Sequence, residues 1–136
     1  MSKYSEIIQK AQEAKKFAHA PYSKFSVGAA LLTKNGKIYT GSNIEASSYS
    51  LTICAERVAI FKAVSEGEHE FEAIAISTSD QKMCPPCGAC RQVLWDLAKD
   101  IKVLLVADEN NVEEKQLSQL FPDAFDEGFL PNDNKK

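Results

Sequence analysis

Two rhythms of apolar and polar positions run along this chain. In residues 4–19, Ile7, Ile8, Ala11, Ala14 and Ala18 recur at helical spacing, and Pro21 stops the run. Residues 25–33 are apolar and small, as in a buried strand. Asn35-Gly36 is a strong hairpin signal, and residues 37–42 make the return strand. Residues 51–64 read as a helix with Ile53, Val58, Ile60, Phe61 and Val64 spread widely round it, so it is covered on more than one side. Gly67 ends it. Residues 71–78 and 101–107 are apolar runs of strand length, and residues 88–99 between them are helical. Residues 113–121 predict a short helix before Pro122. Residues 126–136 are polar and expected to fray.

The later strands, joined by crossover helices, are expected to run parallel, whereas the hairpin is antiparallel. The expectation is therefore one α/β domain over 1–136, a three-layer α/β/α arrangement with a mixed central sheet of about five strands. Helix N-termini then gather at one rim of the sheet, where ligands of such folds bind. Trp95 and Phe61 read as core residues. His19 and His69 fit no ligand spacing.

Composition excludes several function classes. With 44% hydrophobic and 26% charged residues over 136 positions, the chain has ordinary globular character and is long enough for its own core. A net charge of −3 gives no recruitment of a polyanion, so nucleic acid is not the expected partner. No run of 18 apolar residues spans a membrane. The first 16 residues are too polar for a secretory signal. The expected setting is the cytoplasm, where thiols stay reduced and clustered cysteines read as metal or redox groups before disulfides.

The four cysteines carry the chemistry. Cys54-Ala55-Glu56 opens one helix and Pro86-Cys87-Gly88-Ala89-Cys90 opens the next. A Cys-x-x-Cys at a helix start puts both sulfurs on one turn, and the helix dipole favours thiolates there. Three protein ligands, Cys54, Cys87 and Cys90, leave a fourth position open on zinc, the catalytic arrangement. A fourth sulfur from Cys84 would close it into a structural site, although Pro85-Pro86 stiffens the chain between Cys84 and Cys87. Glu56 stands beside the metal as the proton-transfer group; alone, it would be an ordinary first-turn glutamate. Three thiolates on a divalent ion leave a charge of −1. Guanidinium donors from Arg57 and Arg91 would draw charge off the sulfurs, the alternative being surface ion pairs. A non-catalytic zinc or redox module is the rival from another class.

Cys-Ala-Glu-Arg at 54–57 and Pro-Cys-Gly-Ala-Cys-Arg-Gln at 86–92 resemble the short, homotetrameric, zinc-dependent cytidine deaminases. The likeness extends through residues 23–30, Asn43-Ile44-Glu45 and residues 120–125. Ala46, Thr52 and Pro85 depart from residues common in that family. The resemblance implies hydrolytic deamination of free cytidine and deoxycytidine within pyrimidine salvage. A zinc-bound hydroxide would attack C4 and Glu56 would shuttle the proton, with one zinc per chain. It further implies that Phe25 lines the base pocket, that Asn43 and Glu45 hold the ribose 3′-hydroxyl, and that the Ala55 backbone contacts the pyrimidine. Tyr49 would reach a neighbouring subunit's site, and Phe125 would stack on a base held next door. A blasticidin-type nucleoside-analogue deaminase is the alternative within the superfamily.

Overall fold

The computed structural model describes residues 4–80 and 83–131. Five strands form one sheet: β1 (Val27–Thr33), β2 (Ile38–Ser42), β3 (Phe71–Thr78), β4 (Lys102–Asp108) and β5 (Asn111–Gln116), in the spatial order β2-β1-β3-β4-β5. The pair β3–β4, joined by a crossover helix, is parallel and the other three pairs are antiparallel. Helix α1 (Ser5–Ala14) covers one face of the sheet. Helices α2 (Ala55–Ser65), α3 (Gly88–Ala98) and the short α4 (Leu117–Leu120) lie on the other.

The strands are apolar on both faces because both are covered. Ala29, Leu31, Ile74, Ile76, Val103 and Leu105 meet Ala55, Ala59, Ile60 and Leu94 in one core. Their neighbours Ala30, Ala73, Ala75, Leu104 and Val106 meet Tyr4, Ile7 and Ala11 in the other. Ile74 is fully buried, and truncating such a side chain to alanine costs about 2–5 kcal/mol. These are the three layers and mixed five-stranded sheet expected.

Four expectations are corrected. Of the helix expected over 113–121, residues 113–116 instead belong to β5, with Leu105 opposite Glu113 and Val103 opposite Lys115, and only Leu117–Leu120 is helical. An edge strand half in solvent takes the Glu and Lys residues that elsewhere favour helix, and pairing with β4 overrides that preference. Helix α2 begins at Ala55 rather than near residue 51. Tyr49–Leu51 is a separate 3₁₀ turn, and Ile53 exchanges two backbone hydrogen bonds of 3.0 Å with Ile44. Phe61 is 42% exposed on the outer side of α2 and is not a core residue. Finally, residues 126–131 are tied down rather than frayed. Trp95 Nε1 donates to the Asp126 carboxylate at 3.1 Å, Lys99 pairs with Glu127 at 2.8 Å, and Glu127–Phe129 is a 3₁₀ turn. The remainder of that expected tail, residues 132–136, lies outside the described residues.

Candidate active site

Two helix starts meet at the rim where β3 ends and β1 begins. Cys54 is the N-cap of α2 and Cys87 the N-cap of α3, both with extended backbones. An N-cap is normally Ser, Thr, Asp or Asn, whose oxygen satisfies a backbone N–H of the first turn. Neither cysteine makes such a bond, so both sulfurs are free for other partners. Cys90 follows Cys87 by three residues and is fully buried. Its sulfur lies 3.5 Å from that of Cys87, and Cys54 Sγ lies 3.8 Å from Cys87 Sγ. All three sulfurs fall within 4.8 Å of one another, and all are free thiols.

These spacings fit a metal. Tetrahedral zinc with Zn–S bonds of about 2.3 Å separates its sulfur ligands by about 3.8 Å. Three thiols this close do not all ionise without a cation. A hydrogen bond with Cys90, assisted by Arg57, holds Cys54 well below the usual thiol range, and the same bond together with burial pushes Cys90 up. A divalent ion held by these sulfurs would take the place of the shared proton. Cys84 is not one of the three. It lies half-buried in the neighbouring wall, with its sulfur 3.7 Å from the Pro85 carbonyl oxygen, and burial raises its pKa.

Beside the sulfurs is a cavity of about 240 Å³. Its lining includes Phe25, Asn43, Glu45, Cys54, Ala55, Glu56 and Cys87. Glu56, in the first turn of α2, is 5% exposed, and burial pushes its carboxyl up to about 7, the Cys54 sulfur adding to the effect. A carboxyl tuned to that range both accepts and donates a proton near neutral pH.

The opposite wall is the loop before β1, gripped by two side chains that follow β2. Asn43 is buried: its Oδ1 accepts from Val27 N at 2.9 Å and its Nδ2 donates to Phe25 O at 2.7 Å. Glu45 accepts from the backbone N–H groups of Tyr22 at 3.0 Å and Ser23 at 3.1 Å, and from the Ser23 hydroxyl. These bonds, the Ser23 hydroxyl foremost, lower the Glu45 pKa. Between Ser23 and Phe25, Lys24 takes φ 61°, a left-handed conformation uncommon for a residue with a side chain. So the residues read as ligand contacts also hold the loop that carries Phe25.

The arginines divide. Arg57 Nη2 donates to Cys54 Sγ at 3.4 Å, as expected of a group drawing charge off a thiolate. Arg91 does not act on sulfur in this way. Its Nε donates to Pro86 O at 2.8 Å and its Nη1 to Leu120 O at 2.6 Å, so it braces the backbone before Cys87 against the end of α4. As the fourth residue of α3 it is turned off the metal side, toward two carbonyls that need donors.

Two expected site residues lie apart. Tyr49 is 70% exposed in an adjoining hollow lined also by Tyr22, Ser23, Glu45 and Thr52, its ring 5.8 Å from that of Tyr22. Phe125 is exposed and stacked on Phe129 with centroids 5.5 Å apart, and it does not line the cavity. Ser23, Thr52, Ile76, Thr78 and Pro85 do line it, and sequence reasoning assigned them no role. No local spacing signals them: Ser23 meets Glu45 from 22 residues away.

Comparison with known proteins agrees with this geometry. Residues 1–106 match the family described as the cytidine and deoxycytidylate deaminase zinc-binding region. The chain is 48% identical over 120 residues to the cytidine deaminase of Halalkalibacterium halodurans, covering 88% of this chain and 91% of that one. The crystal structure of cytidine deaminase from Burkholderia pseudomallei superposes with a TM-score of 0.85 at 42% identity, over 92% of this chain and all of the other. Blasticidin-S deaminase of Bacillus cereus is 40% identical over 91 residues, only 61% of this chain and 65% of that one.

Proposed function

The chain belongs to the cytidine and deoxycytidylate deaminase family, and from that premise we propose that it hydrolyses free cytidine and deoxycytidine to uridine and deoxyuridine. One water is consumed and one ammonia released per turnover. The observation that carries this reading is a buried carboxyl, Glu56, in the wall of a cavity of about 240 Å³ beside three convergent sulfurs.

Cys54, Cys87 and Cys90 would hold one zinc ion. When bound, the ion supplies Lewis acidity, bringing the pKa of water down to about 7. Glu56 takes one proton from the attacking water on its carboxylate and delivers it to N3 of the cytosine ring as the water oxygen bonds to C4. It then takes the second proton from that oxygen and passes it to the amine, so that the C4–N bond breaks, the C4 carbonyl forms and ammonia leaves. Arg57 draws negative charge off the Cys54 sulfur, and Arg91 fixes the chain that presents Cys87.

Phe25 forms a wall of the base pocket, and the Ala55 backbone touches the pyrimidine. Asn43 and Glu45 receive the 3′-hydroxyl while keeping their grip on the loop at 22–25. Glu45 suits a hydroxyl and repels a phosphate, so a nucleoside fits better than a nucleotide. The exposed Tyr49 and Phe125 point to a homotetramer in which each side chain completes a neighbour's site. The enzyme acts in pyrimidine salvage in the cytoplasm. No described helix is long and apolar enough to cross a membrane.

Incubating purified protein with cytidine while following the ultraviolet spectrum and ammonia release tests the reading. A shift to the uridine spectrum with matching ammonia is expected; an unchanged spectrum with zinc bound overturns it.

A further inference from the structure

Gly41, in the edge strand β2, lies opposite Ala29 of β1 and against the first turn of α2. Its backbone is not in the left-handed region, so alanine there meets no conformational penalty. Space is what forbids it. A Cβ on Gly41 would fall inside the van der Waals envelope of the Ala55 carbonyl oxygen. It would also lie 2.7 Å from the Ala59 nitrogen and 3.0 Å from Val58 Cβ. Ala55 and Ala59 are both fully buried, so that turn already rests on the sheet with nothing between.

The same turn carries the chemistry. Cys54 caps it and Glu56 and Arg57 belong to it, whereas Cys87 and Cys90 stand on α3, a separate element. The spacing of Cys54 from the other two sulfurs therefore depends on how deep the start of α2 sits against β2. We propose that Gly41 is a positioning residue of the active site: by having no side chain, it sets the depth at which α2 delivers Cys54 to the metal and Glu56 to the substrate. This rests on the function proposed above.

The direction of yielding follows from the pairing. Five consecutive residues of β2 are in register with β1, so Gly41 is held by the ladder, while α2 touches it through van der Waals contact. An added methyl moves the helix start rather than the strand, by roughly 1 Å if ordinary contact of about 3.5 Å is to be restored. Displacements of that size at a reacting centre cost about 10²-fold in rate, and disturbing the support of a metal ligand costs about 10–100-fold in metal affinity.

Gly28 provides the control. A Cβ there would collide as severely with the Ala11 carbonyl oxygen and lie 2.7 Å from the Lys15 nitrogen, but under α1, on the face that carries no cysteine. Gly41→Ala and Gly28→Ala are to be compared with wild type by thermal unfolding, by chelator competition for zinc, and by the sulfur-to-cobalt absorption of the Co²⁺-substituted proteins. Steady-state kinetics with cytidine completes the set. Gly41→Ala is expected to fold, to hold zinc about 10–100-fold more weakly with an altered cobalt band, and to lose about 10²-fold in kcat with KM within about threefold. Gly28→Ala is expected to lose thermal stability alone. Wild-type zinc affinity and cobalt spectrum in Gly41→Ala would overturn the proposal. So would equal metal losses in both variants, or failure of Gly41→Ala to fold, which would make Gly41 a folding residue only. The metal readouts need no substrate, so they stand even if wild-type protein fails to deaminate cytidine, which would sink the proposed function alone.

Discussion

The sulfurs of Cys54 and Cys87 lie 3.8 Å apart across 33 residues of chain, each at the N-cap of its own helix. That convergence is made by the sheet. β3 runs between the two helices, so the starts of α2 and α3 come to one rim.

Elemental analysis is expected to find one zinc per chain, and X-ray absorption three sulfurs and one light atom around it. Cys84→Ser should leave both unchanged, because Cys84 stands outside the sulfur cluster. A four-sulfur shell would close the site and end the catalytic reading.

Glu56→Ala is expected to fold and retain zinc but to lose activity by about 10⁴-fold or more, the upper end for an acid–base group and here used at more than one step. Turnover near wild type would remove Glu56 from the mechanism.

Cytidine and deoxycytidine should both be substrates, and free cytosine, 3′-deoxycytidine and CMP poor ones. A site built around a hydroxyl leaves its polar groups unpaired when that hydroxyl is missing. The comparison is kcat/KM in one buffer, with Glu45→Gln weakening nucleoside use while zinc stays bound. CMP equal to cytidine would contradict the role given to Glu45.

Stability should depend on pH through Glu45. Its folded pKa is lowered, first by the Ser23 hydroxyl and then by the Ser23 and Tyr22 backbones. Its contribution is therefore fully present above the unfolded value of about 4.3 and is lost as pH falls through the lower folded value. Melting temperatures of wild type and Glu45→Gln, taken in the same buffers so that acid release of metal affects both, should differ by a constant amount from pH 7 to 5 and converge below. A difference unchanged down to pH 3 would refute the assignment.

Sedimentation should give a tetramer, and Phe125→Ala should impair cytidine use without dissolving the cavity of its own chain, which Phe125 does not line. A fully active monomer would refute shared sites.

The chemistry was easier to read from the sequence than its supports. The Cys54, Cys87 and Cys90 set and the nearby Glu56 follow from local spacing, because helix starts and a Cys-x-x-Cys are local features. The strands at 71–78 and 101–107 were legible because burial on both faces leaves a continuous apolar run. β5 was not, since its residues are chosen for an exposed edge and its strand state comes from β4. The turn of Arg91 toward Leu120, the grip of Glu45 on Ser23, and the depth set at Gly41 are contacts between distant segments, and no window of sequence contains them.

β5 has a further consequence. It is the last strand on its side of the sheet, and Glu113, Glu114 and Lys115 ride along it, with Lys102 reaching across to Glu114 at 3.2 Å. Charges of this kind discourage another chain from docking its backbone there and continuing the ladder. Copies of this protein are thereby steered away from open-ended stacking along that border, so a closed and finite assembly, such as the tetramer proposed above, would be built from other surfaces.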